Sequence, residues 1–477
     1  MSVINTNTAS LNAQRNLSTS ASGLATSLQR LSSGLRINSA KDDAAGLAIS
    51  ERFTSQIRGL DQAKRNANDG VSMLQTAEGS LQSTGNILQR VRELAVQSSN
   101  ATNSAGDRKA IQAEVGQLLS EADRISQTSE FNGLKLLDGS FGTATFQVGA
   151  NAGQTIQATT ANFRTNNYGN NEATTTAPAT GTAYTAGSFA LQGLATTNIA
   201  VATTDTAQSL ASTINGATAT TGVTAQAKTD ESAAFTAGGV YSLAVTSDNS
   251  TAANVTFTVG AALNASGLAS AVSAFNDVSS KTGVTARLND TNNGLVLTNA
   301  AGNNITIANN SASASVTLGA LDANGAASGA TAAVATGATS TSMGYVSMNS
   351  DKGFSVGSSG TNAIAASTAA TLNTVSGIDV STAKGASQAL KVLDSALANV
   401  NSQRASFGAL QSRFETAVNN LQSTSENLSA SRSRIQDTDF ASETAKLTRG
   451  QILQQAGTAM LAQANSLPNG VLSLLRG

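Results

Sequence analysis

Two pairs of carboxylates have the residue type and the spacing that acid–base catalysis needs: Asp42 with Asp43, and Asp437 with Asp439. A catalytic pair requires burial or a charged partner to separate the two pKa values. Both pairs instead stand beside basic residues at predicted helix ends, which indicates helix capping and surface ion pairs. We therefore predict no catalytic site.

The overall composition removes most other chemistry. The chain of 477 residues contains no His and no Cys, so its many Ser and Thr hydroxyls have no imidazole to activate them. No phosphate-binding loop pattern is present. The formal net charge is -1, which gives no field to attract nucleic acid or an anionic membrane. We predict a structural protein and not an enzyme, with no cofactor, no metal, no nucleic acid and no membrane insertion.

The distribution of charge divides the chain into three parts. Residues 1–130 and 385–477 carry most of the charge and are rich in Leu, whereas residues 160–375 are mainly Ala, Thr, Gly, Asn and Ser. The opening lacks the basic and apolar regions of a secretory signal peptide. Residues 1–40 contain Arg15, Arg30 and Arg36 and no acidic residue, as a mitochondrial transit peptide would. The apolar pattern described below disfavours this alternative. The two ends are expected to pair, with the middle inserted between them.

Apolar residues recur every seven positions in two long segments. The first series is Phe53, Leu60, Ala67, Leu74, Leu81, Leu88 and Ala95, and the second is Leu393, Val400, Phe407, Phe414, Leu421, Leu428 and Ile435. A sustained seven-residue period specifies helices that wind around each other with a left-handed supercoil. The first helix, predicted at residues 44–98, would be ~80 Å long. Such lengths are typical of helical rods.

A third helix and a hairpin are predicted after the first long helix. Asp107 suits a helix start, and one apolar face would hold Ile111, Val115, Leu118, Ala122 and Ile125. Frequent glycines then surround the alternating segment 145–148, which predicts a short β-hairpin against the bundle.

The extreme ends show the same period. The apolar positions are Leu17, Leu24, Leu28, Leu31 and Leu35 in the first segment and Leu453, Met460, Leu467, Val471, Leu472, Leu474 and Leu475 in the last. Gly450 and Gly457 are expected to weaken the second segment. One interpretation is a two-helix coiled coil within a monomer. The other is that both segments need neighbouring copies, because isolated amphipathic helices of this kind are marginal in water and leave apolar surface wet.

Several long motifs resemble bacterial flagellins. They are SSGLRINSAKDDAAGLAI (Ser32–Ile49), QRVRELAVQ (Gln89–Gln97), FNGLKLLDG (Phe131–Gly139), SASRSRIQDTDFASETAKLTRGQILQQAG (Ser429–Gly457) and LAQANSLPNGVLSLLR (Leu461–Arg476). The resemblance implies a terminal helical core at 1–43 and 440–477 and a helical rod domain with hairpin at 44–160 and 376–439. A variable surface domain would occupy 161–375. The fold class is thus mainly α, a heptad-patterned bundle or coiled coil from both chain ends with an inserted α+β or β-rich middle.

The middle region contains an apparent internal repeat. LASTIN (Leu210–Asn215) precedes TGVTAQ at Thr221, and LASAVS (Leu268–Ser273) precedes TGVTAR at Thr282. Each copy predicts a helix, a turn and a strand. The alternative is coincidence in a background rich in Ala and Thr.

The resemblance also implies function and partners. It implies a secreted subunit that polymerises into the extracellular flagellar filament. The apolar positions at the two chain ends would form the filament-core seam, and the series that begin at Phe53 and Leu393 would form the rod-domain seam. Partners would be further copies, the flagellar type III export apparatus, a flagellin chaperone, the filament cap and hook-associated proteins. A flagellin-sensing Toll-like receptor of host animals would bind an epitope at Arg90, Leu94, Gln97 and Glu114. A hook–filament junction protein and a monomeric coiled-coil adhesin or secreted effector are the alternatives.

Overall fold

The computed structural model of the chain describes residues 6–357, 360–364 and 367–476, and of residues 467–476 it describes the backbone only. The chain divides into two compact units. Unit 1 comprises Met1–Gln75, Thr143–Thr159 and Phe407–Gly477, and unit 2 comprises Thr76–Gly142 and Thr160–Ser406. The three-part division into core, rod and surface domains stays a prediction.

Among the described residues, five long helices lie toward the two ends of the chain and four short ones lie in the middle. The helices are α1 (Thr8–Ser33), α2 (Ala44–Ser99), α3 (Ala105–Thr128), α4 (Ala207–Gly216), α5 (Thr218–Thr221), α6 (Ala269–Asp277), α7 (Ser279–Thr282), α8 (Ala383–Gln436) and α9 (Phe440–Arg476). A single turn of 3₁₀ helix covers Val375–Gly377. The predicted bounds of the first long helix, 44–98, agree with α2 to within one residue.

Local capping explains where these helices begin. The carboxylate of Asp43 accepts a hydrogen bond from the backbone N–H of Gly46 at 2.8 Å, and that of Asp439 accepts from Ala441 at 3.0 Å. Ser104 and Asp107 form a reciprocal capping box at the start of α3. Asp42 accepts from the backbone N–H groups of Asn38 and Ser39, which lowers the pKa of its carboxyl. The predicted capping role is confirmed for Asp43 and Asp439, whereas Asp42 accepts from the turn before α2 and Asp437 accepts from the hydroxyl of Ser433.

Most positions of the predicted rod seam are buried within their units. Leu60, Leu74, Leu81, Leu88, Leu393, Val400, Phe407, Phe414 and Leu421 are at most 8% exposed, and Phe53, Leu428 and Ile435 are half-buried. In unit 1, Phe414 packs edge-on against Phe146 of the hairpin, with 5.5 Å between ring centroids. The seven-residue spacing therefore coincides with burial, while a supercoil of these helices stays a prediction.

The predicted apolar face of α3 is partly wrong. Ile111, Val115 and Ala122 are buried, but Leu119 and Ser126 are buried in place of Leu118 and Ile125, which are half-buried. The hydroxyl of Ser126 donates to the carbonyl of Phe163 at 2.7 Å. A polar residue thus lies on the inner face because the chain that packs there offers it a carbonyl.

Strands fill most of the segment between α3 and α8. They are β1 (Glu130–Phe131), β2 (Leu134–Lys135), β3 (Thr143–Gln147), β4 (Thr155–Thr159), β5 (Gly169–Thr174), β6 (Gly187–Gln192), β7 (Thr196–Val201), β8 (Thr224–Ala234), β9 (Val240–Thr246), β10 (Ala253–Thr258), β11 (Val284–Leu288), β12 (Leu295–Asn299), β13 (Ile305–Asn309), β14 (Val316–Leu321), β15 (Ala332–Val334), β16 (Thr339–Ser342), β17 (Tyr345–Ser350), β18 (Ser355–Gly357), β19 (Thr368–Ala369) and β20 (Thr371–Thr374). The predicted hairpin is β3 with β4, in which Phe146 pairs with Ile156. The middle is β-rich, as predicted.

Strand β8 is central to the largest sheet, which has the order β11–β12–β8–β17–β5–β20 with β14 and β15 attached. Two further four-stranded sheets have the orders β10–β9–β13–β16 and β19–β18–β6–β7. All the strand pairings that the described residues form between named strands are antiparallel.

Two large apolar cores lie in the described part of this middle region. The first core includes Phe189, Leu191, Leu210, Ile214, Ala227, Met343, Val346 and Met348. The second core includes Ala233, Phe235, Tyr241, Phe257, Phe275, Leu297, Ile305 and Ile307. In the second core the rings of Tyr241 and Phe257 stack with centroids 5.3 Å apart.

The predicted repeat is confirmed down to individual hydrogen bonds. In the first copy the side chain of Asn215 on α4 exchanges two hydrogen bonds with the backbone of Ala225, at 2.9 and 2.7 Å. In the second copy Asn276 on α6 does the same with Ala286, at 3.0 and 2.8 Å. Each copy turns into its strand through a glycine in the left-handed region, with φ of 71° and 67°. The repeated sequence therefore specifies a repeated helix–turn–strand module.

Candidate assembly surface on the terminal helices

Helices α1 and α9 pack side by side in unit 1 and run antiparallel. A Cβ placed on Gly457 would lie 2.9 Å from Cδ1 of Leu17, and one on Gly450 would lie 3.3 Å from Cδ1 of Leu24. Leucines seven residues apart on one helix thus lie over glycines seven apart on the other. The expectation that these two glycines weaken the segment stays a prediction, and the structure adds that they make room for the facing leucines.

Polar contacts fix the register of the pair. The hydroxyl of Ser27 donates to Glu443 at 2.7 Å, and Lys446 pairs with the same carboxylate at 3.1 Å. Glu443 is only 4% exposed, and the hydrogen bond from Ser27, together with Lys446, lowers its pKa. Toward the other end of the pair, Ser10 donates to the side chain of Asn465 at 2.8 Å.

The segments that connect the four long helices of unit 1 are held together by backbone contacts. Leu35 forms an isolated antiparallel bridge with Asp437. The guanidinium of Arg36 donates to the carbonyl of Ile435 at 2.5 and 3.1 Å, and Thr438 donates to the carbonyl of Gly34 at 2.9 Å. Gly34 ends α1 in the left-handed conformation, with φ of 71°. This arrangement sets where α1 and α9 leave the rest of unit 1.

Large apolar side chains remain uncovered on the terminal helix pair. Their exposed fractions are 56% for Leu11, 50% for Leu28, 57% for Phe440, 60% for Ile452, 50% for Leu453 and 65% for Met460. The predicted seam residues Leu17, Leu24, Leu31 and Leu35 are half-buried. The predicted seam positions Leu467, Val471, Leu472, Leu474 and Leu475 lie outside the side chains that the structure describes. We call the six exposed residues the apolar stripe.

Three members of the apolar stripe were missed from the sequence. Leu11, Phe440 and Ile452 lie outside the seven-residue series that was followed. Ile452 precedes Leu453, and two adjacent apolar residues on a helix cannot both face one groove. That doublet was the available signal for a second apolar face.

The predicted receptor epitope lies in unit 2. Arg90 on α2 forms ion pairs with Glu93 at 3.0 Å and with Glu114 on α3 at 3.1 Å, and all three side chains are about half exposed or more. Gln97 is exposed, but Leu94 is only 2% exposed. The expectation that Leu94 shares an accessible face is therefore contradicted, because it packs inward. A partner that binds here would contact Arg90, Gln97 and Glu114.

Other classes of site are not found in the part of the chain that the structure describes. It holds no group of three or more acidic residues placed to bind a metal ion. None of its helices is both long and apolar enough to cross a membrane.

The chain is similar to known proteins along its whole length. Residues 4–142 match the bacterial flagellin N-terminal helical region, and residues 390–475 match the C-terminal helical region. The chain is 45% identical to the B-type flagellin of Pseudomonas aeruginosa and 40% identical to the flagellin of Salmonella rubislaw, each over 99% of both chains. Among solved structures it is similar to FliC from Burkholderia pseudomallei at 23% identity. That similarity covers 72% of this chain and 99% of that one, with a TM-score of 0.32.

Both of these relatives are flagellins, and both match along the whole chain. They exclude the three alternatives: a coiled-coil adhesin, a secreted effector and a hook–filament junction protein. The chain belongs to the bacterial flagellins and is a structural subunit of the extracellular flagellar filament, not an enzyme.

Proposed function

We propose that the terminal helix pair forms the filament core by packing its apolar stripe against the same helices of neighbouring copies. The observation that carries the proposal is the exposure of six large apolar side chains, each at least 50% exposed, on two helices that already contact each other. Several large exposed apolar side chains on one helix pair indicate an interaction site. The partner that we propose for this surface is a second copy of the chain, because every subunit of a filament presents the same surface.

The energetics of the apolar stripe suit reversible addition at a filament end. Each of its side chains contributes about 1.5–3 kcal/mol when it becomes fully buried. Ordering the terminal segments during docking offsets much of this gain, at about 1–2 kcal/mol for each backbone residue that is fixed. Assembly is therefore favourable only when many stripe residues are buried together, which makes the stripe sensitive to single charges.

Charge substitutions in the stripe provide the test. The double variant Leu453→Asp with Met460→Asp would place two unpaired carboxylates in an apolar contact, at a cost of several kcal/mol. The expected result is a subunit that folds normally but does not elongate sheared filament seeds, measured by electron microscopy and sedimentation. Leu194→Asp is the matched control, because Leu194 is 71% exposed on a loop of the middle region and should tolerate the charge. Normal elongation by the double variant would exclude the stripe from the filament core.

We further propose that the chain travels unfolded through the flagellar export apparatus with a flagellin chaperone, and that it meets the filament cap and hook-associated proteins outside the cell. The absence of Cys supports this route, because no disulfide can trap the chain during transit.

Recognition by a host Toll-like receptor is a second proposed interaction, supported by the exposure of Arg90, Gln97 and Glu114 on neighbouring helices. The double variant Arg90→Ala with Gln97→Ala should reduce reporter-cell activation at least tenfold without loss of folding. Leu94→Ala is a poor probe, since a buried Leu→Ala change costs about 2–5 kcal/mol of stability. Unchanged activation by the double variant would place the epitope elsewhere.

A further inference from the structure

One carboxyl group of the middle region is buried in a way that the filament function does not explain. Glu231 on β8 is 0% exposed, and its Oε1 accepts a hydrogen bond from the hydroxyl of Ser342 at 2.5 Å. Its Oε2 is buried without a hydrogen-bond partner among the described residues. Burial raises the pKa of this carboxyl to about 8. A protonated carboxyl is the form that fits such a site at neutral pH.

Residues with hydroxyl groups flank Glu231 and its partner Ser342 along their strands. Thr229 lies on the same face of β8, two residues away, and Ser340 lies two residues from Ser342 on β16. The Oγ atoms of Thr229 and Ser340 are also buried without a partner in the described residues. Ser342 additionally contacts the hydroxyl of Thr180 at 3.3 Å. We call Thr180, Thr229, Glu231, Ser340 and Ser342 the polar layer.

The polar layer lies where the two apolar cores of the middle region meet. On the face of β8 that carries Glu231, Ala227 belongs to the first core and Ala233 to the second. On the β16 side, Ser342 is paired with Ile305 of the second core and is followed by Met343 of the first. Both strands pass from one core to the other at this point. The polar layer therefore places hydroxyls and a carboxyl, in place of apolar contacts, where the two cores adjoin.

Among the described residues, the elements packed against Glu231 supply no charged partner to it. The residues opposite it are Leu297 on β12 and Ala320 on β14, and β16 supplies only hydroxyls. The neighbouring Asp230 lies on the other face of β8. There it accepts from Lys228 at 2.7 Å, Thr298 at 2.6 Å and Tyr345 at 3.2 Å. An ionised Glu231 would therefore be an uncompensated buried charge.

We propose that Glu231 is a pH-sensitive latch between the two cores: the protonated carboxyl keeps the polar layer closed, and ionisation favours opening of the junction. The pH window follows from the raised pKa. The open junction exposes a carboxyl of ordinary pKa, 4.5, whereas the closed one retains its proton up to about 8. The stability of the closed state is therefore fully present below pH 4.5, falls as pH rises, and levels off above about 8.

Hydrogen exchange measured by mass spectrometry on the full chain tests the latch. After correction for the intrinsic pH dependence of exchange, peptides covering β8 and β16 should exchange about tenfold faster for each pH unit between about 5 and 8. The isosteric variant Glu231→Gln cannot ionise, so its corrected rates should not change with pH. Glu114→Gln, which removes an exposed carboxyl, should retain the wild-type dependence. Equal slopes in wild type and Glu231→Gln would overturn the proposal.

A measurement on the unmodified chain covers the case in which Glu231→Gln fails to fold. A protonated carboxyl has an infrared carbonyl absorption that a carboxylate lacks. Wild-type protein at neutral pH should show this absorption, and it should disappear as the pH passes through about 8. Complete absence of the absorption at neutral pH would show that Glu231 is ionised in the closed structure, and the latch would be excluded.

Discussion

The terminal helix pair and the middle region use their apolar residues in opposite ways. On α1 and α9, Leu28 and Leu453 are each 50% exposed although the helices contact each other along their length. In the second core, Tyr241 and Phe275 are each 1% exposed. The terminal helix pair thus leaves much of its apolar surface in water, and the middle, which is dominated by Ala, Thr and Gly, covers most of its large apolar side chains.

This contrast shows that a high content of apolar residues does not make a segment stable on its own. A segment is stable alone when its apolar residues have partners in the same chain, whatever its composition. The middle region meets this condition with sheets and two cores, and the terminal helix pair does not. The apolar surface of the ends is therefore available for the assembled state, in which neighbouring copies supply the missing contacts.

Limited proteolysis of the unassembled subunit tests this difference between the two regions, and it is the test for which we expect the largest effect. We predict that both ends, up to about residue 45 and beyond about residue 440, are largely disordered before assembly and are removed, because a narrow helical pair gains little from its own contacts. A stable fragment should remain that cannot polymerise, as judged by mass spectrometry and seeding. Assembled filaments are the control and should resist cleavage. If the ends of the unassembled subunit resisted the protease as well as the rest of the chain does, the terminal helices would be a preformed coiled coil.

A cavity in the second core should destabilise the middle region without affecting assembly. Phe275 is 1% exposed and packs against Phe257 with 5.9 Å between ring centroids. Phe275→Ala should lower the free energy of unfolding of the middle by about 3–5 kcal/mol, measured by denaturant titration of the full chain. Elongation of seeds below the melting temperature should remain normal, because the stripe is not altered.

Val240→Ala is the control for this experiment, because Val240 is 65% exposed on β9 and its loss should change stability by less than about 0.5 kcal/mol. Loss of elongation in Phe275→Ala at temperatures where its middle stays folded would show that the two regions do not act independently.

Features set by local sequence could be predicted. The start of α2 follows from Asp43, and the start of α3 from Ser104 and Asp107, because capping involves residues only three positions apart. The repeat could be found for the same reason, since each copy contains its own Asn, Thr and Gly contacts. The seven-residue series of α2 and α8 likewise identified positions that are mostly buried.

Features set by distant contacts could not be predicted. Leu94 and Leu119 turn inward because of what packs on their helices, which periodicity alone does not reveal. Glu231 reads as an ordinary strand residue, and only the sheet order places Leu297 and Ala320 beside it. Gly457 reads as a helix-weakening residue until Leu17 is seen to lie over it. In each case the deciding partner is far away in sequence.

The smallest predicted effect compares two glycines of the terminal helix pair. Gly23 on α1 has no atom within 4 Å of the place where a Cβ would stand, whereas a Cβ on Gly457 would meet Leu17 at 2.9 Å. Gly→Ala within a helix contributes about 0.5–1 kcal/mol through propensity alone, so Gly23→Ala should stabilise assembled filaments slightly. Gly457→Ala gains the same helix propensity but must displace Leu17. Overpacking of this kind costs about 1–3 kcal/mol, and we expect a value near the lower limit because the end of the leucine side chain is flexible.

The measurement is the subunit concentration that remains unassembled beside filaments at equilibrium. A net difference of about 1 kcal/mol between the two variants corresponds to about a fivefold higher residual concentration for Gly457→Ala than for Gly23→Ala. Gly450→Ala should fall between them, because its Cβ would lie 3.3 Å from Leu24. Equal residual concentrations for all three variants would mean that the leucines of α1 do not rest on the glycines of α9 in the filament, so that the helices pair differently there. The order Gly23, Gly450, Gly457 would instead show that the contact is retained when neighbouring copies cover the stripe.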